Sequence, residues 1–131
     1  MKRPAATRKR AERAGRQGEL RAAMFLRLQG WQILAERVKT PLGEIDLIAR
    51  RNGVVAFSEV KWRKRREDLD HAIDEYRLRR VAAAAEAVAH QYVRDGDDMR
   101  IDVILLAPAS IPRHITNAWD ALSRVRIRNT E

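Results

Sequence analysis

Asn52-Gly53, set between two runs of alternating apolar and polar residues, constrains this chain more than any other dipeptide in it. Asn-Gly is the strongest two-residue hairpin signal, because both central positions of a type I′ turn need positive φ. Strands are expected at about 44–50 and 54–62, and with Arg51 facing Val54 the register of the hairpin is set. Asp46 then falls opposite Glu59, and Glu44 opposite Lys61. Opposed residues share a sheet face with Cβ atoms ~5 Å apart, and like charges there destabilise the pair. Two carboxylates at that spacing ask for a cation between them. The plainer alternative is an exposed hairpin face carrying a Glu44–Lys61 cross-strand ion pair.

On the second strand Val55, Phe57, Glu59 and Lys61 share one face, and Val54, Ala56, Ser58 and Val60 the other. Few oxygen ligands, with positions left for water and a substrate phosphate, suit Mg²⁺ or Mn²⁺. Such an ion lowers the pKa of a bound water and neutralises charge on a phosphodiester oxygen. A neighbouring lysine can orient the water or stabilise the transition state. Asp46, Glu59 and Lys61 are therefore the candidate catalytic residues, and Asp46 and Glu59 the candidate metal ligands. Glu19 is a further candidate: on a helical wheel it lies with Ala22, Ala23 and Leu26, where an acid needs a partner or a metal. It also reads as a first-turn glutamate favoured by the helix dipole. Asp102 is expected to serve as a structural hydrogen-bond acceptor. Ser58, on the face opposite Glu59, makes a poor nucleophile. His71, His90 and His114 lack zinc-ligand spacing, and no glycine-rich phosphate loop is present.

The rest of the chain frames this hairpin. Residues 1–11 read as a disordered basic arm, 12–123 as one domain and 124–131 as a basic tail. Within the domain a helix is expected from Glu12 to Gln29 and a strand from Trp31 to Lys39. A longer helix over 67–93 breaks near Asp74 to Tyr76, a buried strand spans Arg100 to Leu106, and a last helix covers Ile115 to Ser123. The order is α-β-β-β-α-β. A right-handed crossover through the long helix makes 55–61 the central strand of a mixed sheet flanked by helices. Trp31, Trp62 and Trp119 are expected in the core or an interface, with Trp62 also placed to stack on a base.

Charge points to the partner. The net charge is +9, and residues 1–16 hold seven basic side chains against Glu12. Lys61, Arg63, Lys64, Arg65 and Arg66 follow the acidic hairpin directly, and Arg77, Arg79 and Arg80 form another cluster. Basic groups beside an acidic pocket suit a polyanion whose phosphates touch the periphery. Cysteine is absent and no apolar run approaches a membrane span, which fits a cytoplasmic protein without membrane attachment.

The blocks GEIDLIAR (43–50), FSEVKWR (57–63), RIDVI (100–104) and HITNAW (114–119), with GRQGE at 15–19, resemble the bacterial YraN family in order and spacing. That family is similar to the PD-(D/E)xK, restriction-endonuclease-like superfamily and to archaeal Holliday junction resolvases. The resemblance implies a restriction-endonuclease-like α/β fold and Mg²⁺-dependent (or Mn²⁺-dependent) endonuclease activity on structured or branched DNA. It assigns roles to Glu19, Asp46, Glu59 and Lys61, with Glu44 as an accessory acid. One such cluster cuts one strand, so a two-strand cut implies a homodimer. The chain departs from the family pattern in carrying Ser58 where valine is frequent, and Arg77 or a neighbour where a lysine is frequent. The rival expectation is a nucleic-acid-binding protein of the same fold without catalysis.

Overall fold

Asn52 and Gly53 take φ values of 49° and 74°, the left-handed pair that a type I′ turn requires. The computed structural model describes residues 5–65 and 74–119. Its elements are α1 (Ala5–Leu28), β1 (Gln32–Thr40), β2 (Gly43–Arg51), β3 (Val54–Trp62), α2 (Glu75–Tyr92), β4 (Asp98–Leu106) and β5 (Arg113–Ile115). One sheet holds all five strands in the order β1-β2-β3-β4-β5. Only β3 and β4 run parallel, joined through α2, so β3 is central. The expected α-β-β-β-α-β arrangement is present, and it is that of the restriction-endonuclease-like fold.

Two apolar layers clamp the sheet. Leu78, Val81, Ala84, Ala85 and Val88 of α2 pack on Ile45, Ile48, Val55, Phe57, Ile101, Val103 and Leu105. Ala22, Ala23 and Leu26 of α1 cover Trp31, Leu47, Ala49, Ala56, Ile104 and Leu106 on the other side. The alternation read from β3 follows: Val55 and Phe57 face α2, while Ala56 faces α1. Trp31 is core, Trp62 packs half-buried on the α1 side, and Trp119 packs on the α2 side. No helix among the described residues is long and apolar enough to cross a membrane.

Several boundaries differ from those expected. Helix α1 starts at Ala5, seven residues before Glu12, because alanine, arginine and lysine at 5–11 favour a helix even without an apolar face. Ile115 ends strand β5 instead of opening a helix, since His114 and Ile115 pair with Ile104 and Val103 of β4. Arg66, His71, the expected helical stretch at 67–73, the remainder of the expected last helix from 120 and the tail at 124–131 lie outside the described residues.

Candidate active site

The β2–β3 register is the one that Asn52-Gly53 dictates, from Arg51↔Val54 to Leu47↔Ser58, and there the pairing stops. The next rung would set Asp46 against Glu59. Instead Asp46 Oδ2 accepts the Val60 N–H at 2.8 Å, so the side chain takes the place of a ladder bond. The irregularity extends to both neighbours of Asp46. On β1, Arg37 is left-handed (φ 52°) between the pairs Glu36↔Leu47 and Val38↔Ile45. Along β2, Ile45 and Ile48 both join the α2-side core although three positions apart, so the period of two slips between them. Asp46 thus lies against the main chain of β3, where an upright place beside Glu59 was expected.

Glu59 and Lys61 stand on the face of β3 toward α2, 5% and 7% exposed. Lys61 Nζ is 3.1 Å from Glu59 Oε1, and Arg77 Nε of α2 reaches the same oxygen at 2.9 Å. A buried charge needs such partners, and here two cations share one carboxylate. The arginine pairing was not read from the sequence, because it depends on where α2 begins. Asp74 fixes it: its carboxylate caps the helix by accepting the Tyr76 and Arg77 N–H groups at 2.9 and 3.4 Å.

Glu44, Glu59, Tyr76, Arg77, Arg80 and Val81 line an open cavity of about 340 Å³ between β2, β3 and α2. Asp46 is not among its lining residues. Burial pushes the Asp46 carboxyl up to about 6; the Val60 N–H opposes the rise, and the charges of Glu59, Glu19 and Glu44 add to it. Glu19 comes near enough to act on Asp46, but its own carboxylate is paired with Arg37 Nε at 2.5 Å. Among the described residues, no group of three or more His, Asp or Glu side chains is placed to hold a metal ion. Asp46 and Glu59, the acids expected to hold a cation, are two carboxylates that meet at the break in the ladder. A site of one or two carboxylates completed by water and substrate phosphate is what Mg²⁺ accepts.

The expected basic residues divide by position. Arg77, Arg79 and Arg80 are exposed on the first turns of α2, with Arg79 beside Glu75 and Arg80 over the Tyr76 ring. Lys64 and Arg65 are exposed just past β3. Arg63 is half-buried, its main-chain N–H bonded to Leu106 O and its Nη1 to Trp62 O. Asp102 lies on β4, where it accepts from Arg100, from Asn117 N–H and pairs with His114 Nε2 at 2.7 Å. That is the structural role expected of it.

The chain has relatives in several bacteria. The model of a family described as uncharacterised protein family UPF0102, the YraN family, matches residues 18–106. A UPF0102 protein of Erythrobacter litoralis is 73% identical over 109 residues, covering 83% of this chain and 94% of that protein. One from Sphingopyxis alaskensis is 59% identical over 113 residues, covering 86% and 97%. One from Rhodopseudomonas palustris is 42% identical over 119 residues, covering 90% and 92%.

Proposed function

We propose that this chain, which belongs to the UPF0102 family, is a divalent-metal-dependent endonuclease acting on structured or branched DNA. The observation that carries this reading is Asp46, released from the strand ladder and raised to about 6 by burial and by three nearby acids. A buried carboxyl crowded in this way is relieved by a cation, and Glu59 is the acid within the same break in the ladder. Asp46 and Glu59 would hold Mg²⁺ or Mn²⁺, which when bound supplies an acidified water and charge neutralisation at phosphorus.

The chain's own groups do the rest. The Val60 N–H fixes Asp46 Oδ2, so main chain and not a mobile side chain orients that carboxylate. Lys61, held at 3.1 Å from Glu59 Oε1 and nearly excluded from solvent, sets its charge beside that cavity-lining carboxylate. There it stabilises negative charge developing on a phosphoryl oxygen, where a low dielectric makes one charge count for more. Arg77 and Arg80 stand on the opposite wall and grip the backbone phosphates. Glu19 would support the metal through water, and Glu44 lines the entrance. A second copy would be needed to cut both strands.

Cleavage of branched, duplex and single-stranded DNA in Mn²⁺ tests this reading. Wild type should cut at least one of them, and Glu59→Gln and Lys61→Ala should each lose about 100-fold or more in rate. Equal cleavage by all three proteins would identify a contaminant. Tight, salt-sensitive binding without any cleavage would favour a non-catalytic DNA-binding protein.

A further inference from the structure

Tyr76 has no part in either core layer. It is 63% exposed on the first turn of α2, yet it lines the same cavity as Glu59. The Asp74 cap holds its backbone in place through the Tyr76 N–H at 2.9 Å. The Arg80 guanidinium lies 6.0 Å from its ring centroid, with Nη1 3.5 Å from the hydroxyl. An aromatic ring backed by an arginine at the rim of a charged cavity is the arrangement on which unpaired bases stack. A base inside a duplex has both faces covered by its neighbours and has none to offer; an unpaired base has one free. Tyr76 and Arg77 are consecutive, and Arg77 already reaches the floor at Glu59. Both line the same cavity, so a ligand that brings a base and a phosphate into it meets them together.

We infer that Tyr76 is a stacking platform for an unpaired base beside the scissile phosphate, so that the substrate class is DNA with a single-stranded segment at the cut. This rests on the preceding reading that the cavity at Glu59 receives a DNA phosphate. The plain alternative is a surface tyrosine paired with Arg80 one helical turn away.

Binding without cleavage separates the two. Fluorescence anisotropy in Ca²⁺ would compare three DNAs of one sequence: a full duplex, a duplex with splayed arms and a single strand. Wild type should prefer the splayed and single-stranded forms. Tyr76→Ala should weaken those by about tenfold and the duplex by less than about twofold, whereas Tyr76→Phe should behave as wild type. A 2-aminopurine at the first unpaired position should be quenched by wild type and Tyr76→Phe but not by Tyr76→Ala. An equal loss on all three DNAs, or an unchanged preference in Tyr76→Ala, would overturn the inference. Tyr76-dependent preference with no cleavage in Mn²⁺ would sink the nuclease reading alone; Glu59-dependent cleavage with no Tyr76 effect would sink the stacking platform alone.

Discussion

Asp102 and Asp46 are both drawn out of solvent by the same sheet, yet one is surrounded by donors and the other by acids. Asp102 is fully buried and receives Arg100 through two bonds of 2.9 and 2.8 Å, with His114 and the Asn117 N–H completing its shell. Burial by itself would raise its carboxyl; His114, Arg100 and Asn117 outweigh that and hold it below the usual carboxylate range. Asp46 receives a single N–H and has three acids near it, so its carboxyl moves the other way. The first arrangement closes a fold: it ties β5 and the following turn to β4. The second leaves a buried carboxyl with one donor and several acids close by. A buried acid with its partners built in is a strut, and the proposed cation would supply the partner that Asp46 lacks.

The comparison breaks most visibly at Asp102. Replacing it with alanine strands Arg100 and His114 at a buried site, and should cost about 3–5 kcal/mol in urea-induced unfolding. A loss below about 1 kcal/mol would mean that the shell is not structural.

The next effect is on pH dependence. The Asp46 carboxyl is raised from 3.8 to about 6 in the fold, so between those pH values the folded protein binds more protons than the unfolded chain. The Asp46 contribution to stability in metal-free buffer should therefore fall as pH rises from about 4 to 6, by on the order of 3 kcal/mol. Asp46→Asn should flatten that slope, and Mn²⁺ should restore stability above it in wild type. The Asp102 contribution has the opposite sense, being lost as acid protonates a group of lowered pKa. Denaturant midpoints from pH 4 to 6, for wild type and Asp46→Asn, measure the first, and midpoints at pH values below the ordinary carboxylate pKa of 3.8 measure the second.

The smallest expected effect is at Arg77, whose side chain is 58% exposed and competes for Glu59. Arg77→Ala should tighten Mn²⁺ binding by a few-fold, about 1 kcal/mol or less, because an exposed pair is weak. The same change should weaken DNA binding, since a phosphate contact goes with it. Calorimetric titration of Mn²⁺ and anisotropy of DNA would read the two opposite signs; equal signs would remove Arg77 from the site.

Much of this was written in local sequence. Asn52-Gly53 determines a turn, the turn determines a register, and the register brings positions 46 and 59 to the same level of the sheet. The apolar run at 101–106 marks a strand buried on both faces, and the alanine-rich stretch before it marks the connecting helix. What remained illegible depends on contacts between distant residues. Period-two reasoning cannot foresee the slip between Ile45 and Ile48, which coincides with a left-handed Arg37 on the neighbouring strand. The pairing of Arg77 with Glu59 needs the helix start, and that depends on Asp74 acting as a cap. Strand β5 has only three residues and no pattern of its own; β4 and Asp102 make it a strand.

Gly43 has a consequence reaching beyond its turn. A methyl group built there would sit 2.6 Å from the Arg80 carbonyl oxygen and 3.1 Å from its carbon, both main-chain atoms that cannot rotate away. The backbone of β2 thus abuts the backbone of α2 with no side chain as a spacer. Glu44 follows Gly43 directly, while Tyr76, Arg77 and Arg80 lie on the helix that Gly43 touches. The aperture between acidic floor and basic wall is consequently gauged by a missing atom. Any larger residue at 43 would act as a wedge, jacking the wall outward while leaving every chemical group of the cavity intact.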